Sequence, residues 1–497
     1  MNENLNEALE QIGDRHLEEA ANYYQRSRRS RWLGAIAAVL AVAIAWGAIW
    51  HHWPKRNDEP SALQSPAASS PAPTRPITTP GVIPLSGLVA QPKYPSIGSP
   101  PSKDAFATTE EWLNAYAAWR DAWANQYSQP DGYADNLSDF FSKSIPLFLS
   151  GEGNRAYSPV NVYLAMAMLA ETASGNSQQQ ILNLLGAESI EELRTQANQV
   201  WNGHFSDRNT DRLLLSNSVW LDNEHTFNAD TLQSLADSYY ASVYSGDLGS
   251  EYMNEVLQSW LDSQTGNLLN EHSQNLELDP NSVFALASTV YFSAKWSESF
   301  SEDQTTNGIF HGSTDTTVAF MHNTLSDDYF WGTDFGAIRL SMSNQNSMWL
   351  ILPDEDKTVE DILNSNEYWK MIQNPSQWKN RKRVTLHVTM PKFDISTKSD
   401  LIGSMMQLGV TDIFNPDISD FSAMTDTPQI FVNKIEHAVR IVTNEGGVVA
   451  AAYTVIDAPS LGIPPEEEVA FTLDRPFFFA ITSQDSLPLF TGVVEQP

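Results

Sequence analysis

The sequence predicts an α+β fold dominated by one large β-sheet, and three observations support that prediction. From about Tyr133 onward, runs with helical spacing of apolar residues alternate with runs typical of strands. The strand-like runs are long, unevenly spaced and mixed with helices, which favours a dominant sheet. No repeat of fixed period is visible, which argues against a solenoid or a propeller. The helical runs include "NVYLAMAMLAETA" and "NEVLQSWLDSQTGNLL", and the strand-like runs include "RLLLSNSVWLD", "SVFALASTVYF", "SMWLILP" and "VTLHVTMPKFDI".

The composition limits the function before any motif is considered. The 497 residues exceed the usual size of a single core, so we expect one large domain with accessory segments. A formal net charge of −32 argues against binding to nucleic acid, because phosphate backbones are gripped by clusters of lysine and arginine. The absence of cysteine excludes disulfides, thiol nucleophiles and cysteine-ligated zinc.

The sequence predicts a short cytoplasmic segment at residues 1–31 and a transmembrane helix at residues 32–50. The run "WLGAIAAVLAVAIAWGAIW" has no charge and no proline, and at about 1.5 Å per residue it spans the hydrocarbon layer of a bilayer. A cleaved signal peptide is the alternative, but thirty-one residues precede the run and no small-residue cleavage site clearly follows it. Because "RSRRSR" precedes the run and only Lys55 and Arg56 follow it closely, the positive-inside rule predicts a cytoplasmic N-terminus and an extracellular main domain.

Residues 51–105 are predicted to be an extracellular stalk, and residues 106–132 a tryptophan-rich helical extension. Twelve of the 27 prolines lie in residues 54–101, among many Ser, Ala and Thr, which is typical of an extended, semi-stiff linker. The following helix, "TTEEWLNAYAAWRDAWANQY", opens with a capping-box pattern at Thr108 and Glu111. We expect its aromatic residues to pack on the domain behind it, although such residues also bind carbohydrate.

No motif in the chain supports an enzyme. The sequence contains no Gly-x-Ser-x-Gly elbow, no His-Glu-x-x-His, no P-loop and no strand-linked dinucleotide fingerprint. "SQWK" at Ser376 to Lys379 matches Ser-x-x-Lys, but the companion motifs are missing, so we interpret it as a chance match. The ten histidines are scattered, and we expect no metal site and no cofactor.

Several ordered blocks in residues 133–497 carry a family resemblance. They include "YSPVNVYLAMAMLAETASGNSQQQILNLLG", "VFALASTVYFSAKWSESF", "HAVRIVTNEGG", "DRPFFFAI" and "PLFTGVV". In this combination the blocks resemble the serpin family. The resemblance implies a serpin fold with a large central sheet, additional sheets, about eight or nine helices and an exposed reactive-centre loop.

The segment "EGGVVAAAYTVIDAPSLGIPPEEE" is similar to the hinge and reactive-centre loop of serpins. The resemblance implies an exposed bait that, once cleaved, enters the central sheet as a new antiparallel strand. The hinge residues that it implies are Glu445, Gly446, Gly447, Val448, Ala450, Ala451 and Ala452. Gly446 departs from the family pattern, in which Glu or Lys is common, and the added backbone freedom could speed or loosen insertion.

The residue pattern of this loop is compatible with insertion. Because every second residue of a strand points to the same face, Val448, Ala450, Ala452, Thr454 and Ile456 would point into the core. None of them is charged, and the first charged residue, Asp457, falls on the outer face together with Tyr453. This pattern separates inhibitors from family members whose hinges carry proline or charge.

The resemblance also implies a reactive bond. In typical inhibitory members the cleaved bond follows the hinge glutamate by sixteen residues, which here gives Leu461 and Gly462. A leucine fits the apolar primary pocket of chymotrypsin-like or elastase-like serine proteases, and the acidic pocket of trypsin-like enzymes gains nothing from it. The bond between Ser460 and Leu461 is the nearest rival.

Five further positions match functional serpin positions. Trp296 matches the tryptophan at the top of the sheet, where insertion begins. Ser158, Asn161, Ser288 and His437 match the polar cluster beneath the centre of the sheet that must part during insertion. Asn161 occupies a usual serine position and Ser288 a usual asparagine position, so a reciprocal exchange would keep one amide and one hydroxyl in the network.

We therefore expect a monomeric, membrane-anchored inhibitor that traps a serine protease as a covalent acyl-enzyme at a cell surface. The architecture of anchor and stalk is typical of a bacterial protein. Two alternatives remain open at the level of sequence. The chain could be a non-inhibitory serpin that acts as a ligand carrier or a cleavable sensor, or it could inhibit cysteine proteases across class.

Overall fold

The computed structural model describes residues 87–95, 100–207, 212–265, 277–343, 345–448 and 467–497. The α-helices of these residues are α1 (Thr109–Tyr127), α2 (Leu137–Phe148), α3 (Pro159–Thr172), α4 (Gly175–Leu185), α5 (Ile190–His204), α6 (Ala229–Ser238), α7 (Glu251–Thr265), α8 (Val359–Ser365), α9 (Glu367–Gln373) and α10 (Ile402–Gln407). Nine of these ten described helices follow residue 133, in agreement with the expected serpin architecture.

The strands of the described residues fall into two sheets. The first contains β1 (Leu88–Ala90), β3 (Ser206–Asp207), β4 (Arg212–Asp222), β5 (Ala241–Gly246), β6 (Phe284–Lys295), β12 (Asp394–Asp400), β13 (Glu436–Asn444) and β14 (Gly447–Val448). The second contains β2 (Arg155–Tyr157), β7 (Thr306–His311), β8 (Asp315–Trp331), β9 (Phe335–Ser341), β10 (Ser347–Pro353), β11 (Arg381–Pro391), β15 (Glu468–Thr472), β16 (Phe477–Thr482) and β17 (Pro488–Val494).

The first sheet has the strand order β1-β5-β4-β6-β14-β13-β12, with β3 paired to the start of β4. β14 contains only two residues, yet it is the link between β6 and β13. The second sheet has the order β15-β11-β8-β9-β10-β16-β17-β2, with β7 paired to β8. The expected α+β fold with a large central sheet and a further sheet is confirmed.

Helix α3 forms the centre of the main core. Ser158 caps its N-terminus by accepting a hydrogen bond from the backbone N–H of Asn161, and Pro159 occupies the first helical position, where no N–H is needed. All of its residues except Ala165 are buried, as expected for a helix that is apolar around its whole circumference. It packs against β6 of the first sheet and β17 of the second.

A second core lies between α7 and the first sheet. Trp220 of β4 stacks on Tyr244 of β5 with ring centroids 4.5 Å apart, and Trp260 of α7 meets Trp220 edge-on at 6.4 Å. Leu88 of β1 packs against the same cluster. Helix α7 therefore covers one face of the first sheet over strands β1, β5, β4 and β6.

Part of the predicted stalk is folded, which corrects the expectation for residues 87–95 of the 51–105 segment. β1 pairs antiparallel with β5, with Leu88 opposite Tyr244. Tyr94 then stacks between aromatic residues, 5.5 Å from Trp201 and 5.4 Å from Phe205. β1 lies at the edge of the sheet and therefore forms ladder hydrogen bonds on one side only. A strand of three residues can form at such an edge even though a proline follows it closely.

The remaining N-terminal predictions, namely the cytoplasmic segment 1–31, the transmembrane run 32–50 and the stalk up to residue 86, lie outside the described residues. Within the described part of the chain, no helix is both long enough and apolar enough to cross a bilayer. The capping box predicted for the tryptophan-rich helix is confirmed: Thr108 and Glu111 exchange hydrogen bonds at the start of α1, at 3.1 and 3.2 Å.

Candidate functional site

The hinge is already part of the sheet. After β13 the chain turns at Glu445 and Gly446 and returns as β14, so that Val448 lies opposite Thr443 on one side and Ala294 on the other. Val448 is fully buried. The inward orientation predicted for this residue is therefore the one observed, and the pairing is antiparallel on both sides.

Gly447 is required by this arrangement. Its φ of +150° lies in a region that L residues rarely adopt. A Cβ at this position would lie 2.1 Å from the carbonyl oxygen of Ala294 and 2.8 Å from the Cα of Lys295. Only glycine allows the hinge to approach the end of β6 this closely.

Glu445 anchors the turn through its side chain. Its carboxylate forms an ion pair with Lys392 at 2.6 Å and accepts a hydrogen bond from the hydroxyl of Thr305 at 2.7 Å. Burial alone would raise the pKa of Glu445, but these two partners outweigh it and lower the pKa below its usual range. The side chain thus fixes the turn from which the loop starts.

Trp296 directly follows β6 and lies beside the hinge. Its backbone N–H donates to the carbonyl of Gly446 at 3.1 Å, and its indole Nε1 donates to the carbonyl of Asn444 at 2.9 Å. The backbone N–H of Phe300 donates to the carbonyl of Glu445 at 3.0 Å. These bonds satisfy the carbonyls of the turn and fix the point from which the loop departs.

Beyond Val448 the described parts of β6 and β13 face each other across a cleft. Among the described residues, β6 and β13 are joined only through β14, and no ladder connects them further down. The space between them is a cleft lined by Val290, Tyr291 and Phe292 of β6 and by Ala438 to Ile441 of β13, with Thr265 of α7 and Phe490 at its walls. Two facing strands without a ladder between them are a template for one further strand.

Three of the four predicted polar residues beneath the sheet are linked. The backbone N–H of Ser158 donates to Nε2 of His437 at 3.0 Å, and the Ser158 hydroxyl donates to the carbonyl of Leu489 at 2.6 Å. Asn161 joins through its backbone N–H, which donates to the Ser158 hydroxyl at 3.3 Å. Burial lowers the pKa of His437 to about 4, so the ring is neutral and its Nε2 is an acceptor.

Ser288 has a different partner from the one expected. Its hydroxyl donates to Oδ1 of Asn217 on β4 at 2.8 Å, and Nδ2 of Asn217 donates to the carbonyl of Tyr239 at 2.7 Å. Asn217 thus supplies an amide partner for Ser288, and the proposed exchange of amide and hydroxyl between Asn161 and Ser288 stays a prediction. From the sequence, Asn217 could have been recognised as a candidate because it is an amide inside the largely apolar run "RLLLSNSVWLD".

The far end of the loop is fixed to the second sheet. β15 runs parallel to β11, and the backbone N–H of Thr385 donates to the carbonyl of Glu467 at 2.9 Å. The side chains of Lys382 and Glu467 form an ion pair, and Nε2 of His387 lies 3.3 Å from the carboxylate of Glu468. Residues 449–466, which include Ala450 to Ala452, Leu461 and Gly462, lie outside the described residues.

No group of three or more His, Cys, Asp or Glu side chains in the described ranges is arranged to hold a metal ion. The candidate site therefore consists of a hinge, a cleft and two anchored loop ends. These elements accept a strand and contain no arrangement that we can assign to catalysis.

A chain with an anchored loop beside an open sheet is typical of one class of protein, and comparison with known families defines it. Residues 142–497 match the family model described as Serpin (serine protease inhibitor). The chain belongs to the serpin family, whose members are described as protease inhibitors.

Individual relatives are similar over nearly their whole length. The human leukocyte elastase inhibitor is 28% identical over 357 residues, which cover 69% of this chain and 93% of the relative. The crystal structure of tengpin, a thermophilic serpin, in the native state matches with a TM-score of 0.67 and 25% identity, covering 74% of this chain and 95% of tengpin. Human thyroxine-binding globulin shares the fold, with a TM-score of 0.63 at 20% identity.

Proposed function

We propose that this serpin inhibits serine proteases as a suicide substrate. The observation that carries the proposal is the state of the first sheet. Its hinge residue Val448 is seated between β6 and β13, and the cleft below it continues the same path. A sheet with one strand missing and a loop whose first residues already occupy its place is built for insertion.

The proposed reaction uses the chemistry of the target. The protease serine attacks the carbonyl carbon of Leu461, the bond to Gly462 breaks, and the new amine of Gly462 takes the proton from the protease histidine. Leu461 remains as an ester on the serine. The residues after Val448 then enter the cleft between β6 and β13, and the protease is carried along before water hydrolyses the ester.

The target class follows from Leu461. A leucine side chain gains free energy by filling an apolar pocket, so we expect chymotrypsin-like or elastase-like enzymes. The similarity to a relative named leukocyte elastase inhibitor supports this choice. The proposal also includes the membrane anchor at residues 32–50 and a serpin domain outside the cell, which the hydropathy and the flanking arginines support.

A carrier or sensor role is the second candidate, since thyroxine-binding globulin, crystallised with its hormone, has the same fold. The hinge argues against that role here. Gly447 and Val448 are small and uncharged and are seated in the sheet. A loop that is only a cleavable substrate would not need this fit.

The experiment mixes the purified protein with chymotrypsin and with an elastase, followed by denaturing gels and mass determination. We expect a complex that survives boiling in detergent and a released peptide that begins at Gly462. Clean cleavage without a complex would mean that the protein is a cleavable sensor and not an inhibitor. A complex formed only with cysteine proteases would mean that its targets are cysteine proteases.

A further inference from the structure

The first described strand shows where the N-terminal part of the chain joins the sheet. β1 is antiparallel to β5, and the backbone N–H of Ser245 donates to the carbonyl of Gly87 at 2.8 Å. β5 is parallel to β4, and Leu221 of β4 lies opposite Phe284 at the start of β6. Gly87 is therefore level with the start of β6, whereas the hinge lies at its end, beside Lys295.

These two ends of the sheet are far apart. β6 contains 12 residues, which at about 3.3 Å per residue separate Phe284 from Lys295 by roughly 36 Å. In the described structure the loop starts at the Lys295 end. Gly87, the first described residue, lies at the opposite end.

The register of the hinge predicts where the reactive bond goes after insertion. Gly447 lies opposite Lys295 and Val448 opposite Ala294. Continued without a bulge, this antiparallel register places Ala458 opposite Phe284 and Leu461 about three residues beyond the end of the strand. The ester to the protease would then lie at the end of the sheet where Gly87 is found.

The lateral distance is short as well. Four strand spacings separate β1 from an inserted strand, through β5, β4 and β6. At about 4.8 Å each they amount to roughly 19 Å, and with three residues of overhang the separation of Gly87 from Leu461 is about 20 Å. A protease of ordinary size, about 45 Å across, cannot occupy that position without lying beside the tether.

We propose that the serpin delivers a captured protease to the end of the sheet from which its N-terminal tether departs, and that residues 51–86 are a spacer that leaves room for the protease in front of the membrane. This inference rests on the proposed function, including the anchor. Eight of the 36 residues of this spacer are prolines. At about 3.1 Å per residue such a segment reaches roughly 110 Å when extended, more than twice the diameter of a protease.

A spacer that is too short would interfere with inhibition itself. Insertion competes with hydrolysis of the acyl-enzyme, and a bilayer in the path of the protease would slow insertion. Deletion of residues 58–83 leaves ten residues of the segment, which reach about 31 Å and cannot span a protease. Replacement of residues 58–83 by a Gly/Ser sequence of equal length keeps the reach and is the matched control.

The first test measures the geometry. The chain has no cysteine, so Ser86→Cys in the full-length protein gives a single site for a donor dye, with an acceptor on chymotrypsin or elastase. We expect strong energy transfer in the covalent complex and weak transfer in the encounter complex with a protease that lacks its catalytic serine. Equal transfer in both states would overturn the proposal.

The second test uses vesicles that contain the full-length protein with the native, deleted or Gly/Ser spacer. We expect the deletion to raise the ratio of cleaved serpin to covalent complex several-fold, and the Gly/Ser spacer to leave it near the native value. The same ratio for all three proteins would overturn the spacer role. Failure of the native protein to form a complex would disprove the proposed inhibition, and failure to float with the vesicles would disprove the anchor, so the causes are distinguishable.

Discussion

At the scale of single residues, the site depends on two titratable groups held away from their ordinary behaviour. His437 is kept neutral inside the protein and accepts a hydrogen bond from the backbone of Ser158, which joins β13 to the start of α3. Glu445 is kept charged by Lys392 and Thr305 and fixes the hinge turn. His437 thus ties β13 to the start of α3, and Glu445 fixes the turn from which the loop departs.

His437 predicts a dependence of stability on pH. Because its pKa falls from 6.5 to about 4 in the folded protein, the unfolded chain binds a proton between these values that the native state does not. Stability is therefore complete above about pH 6.5 and is lost as the pH falls towards 4. At about 1.4 kcal/mol per pKa unit, the loss amounts to roughly 3 kcal/mol.

The variant His437→Gln separates this contribution from others, since glutamine can accept the same hydrogen bond and does not titrate. Urea unfolding of both proteins between pH 7 and pH 4.5 should show a smaller loss for the variant. Burial lowers the pKa of His204, but the hydrogen bond and charge of Asp485 outweigh burial and raise it, and this opposite contribution is present in both proteins. An identical slope for the two proteins would contradict the assignment.

Lys392→Met tests the pivot. The change leaves the Glu445 carboxylate with Thr305 as its partner, and we expect a loss of about 1 kcal/mol and a larger fraction of cleaved, uncomplexed serpin. Lys398→Met is the matched control, because Glu436 retains Lys434 as a second cation. Denaturant unfolding and complex yield are the measurements, and equal effects of the two variants would refute a special role for Lys392.

At the scale of elements, the proposed mechanism makes the hinge strand β14 and the loop that follows it decide between inhibition and simple cleavage. The described part of this strand is Gly447 and Val448. Its continuation would have to place alternate residues into the core beside the buried side chains of Phe292, Val439 and Ile441.

A charge on the inward face should therefore stop insertion. Val448 is fully buried, so Val448→Asp is expected to abolish the covalent complex and leave the protein a substrate that is cleaved at an unchanged rate. Val449→Asp is the control, since alternation places residue 449 on the outer face. Gel assays of the ratio of complex to cleaved product measure both, and complex formation by Val448→Asp would show that the hinge does not insert in this register.

The reactive residue sets the selectivity of the loop. Leu461→Arg should lower the rate of inhibition of chymotrypsin-like enzymes at least tenfold and create inhibition of trypsin-like enzymes, because an acidic pocket then gains a charged partner. Rate constants with the two enzyme types are the measurement. If the selectivity does not change, the reactive bond does not lie between Leu461 and Gly462. The bond between Ser460 and Leu461 is then the first alternative.

At the scale of the whole molecule, we propose that the protein is held in a state that is not its most stable one. The facing strands β6 and β13 could pair with a further strand. In the proposed mechanism the anchored ends of the loop, at Glu445 and Glu467, prevent its full entry until the loop is cut. The native state would then be stable for kinetic reasons, and cleavage would release the difference in free energy.

Much of this organisation could be predicted from the sequence, because it depends on local patterns. The burial of α3, the capping box of α1 and the inward orientation of Val448 follow from periodicity and residue size. The partners of Ser288 and Glu445 could not be predicted, because strand register and packing bring Asn217 and Lys392 to them over long stretches of chain. β1 was missed because three residues are too few to show a period.

Hydrogen exchange of the backbone amides in β6 and β13, before and after the loop is cut, shows whether the loop enters the sheet. A protease of another class that cuts within residues 449–466 without forming a complex gives the cleaved protein. We expect the amides of β6 that face the cleft, between Phe284 and Ser293, and those of β13 below Thr443 to exchange much more slowly after cleavage, because the inserted loop supplies their partners. Exchange that stays the same after cleavage would mean that the loop remains outside the sheet, and the proposed mechanism would be wrong.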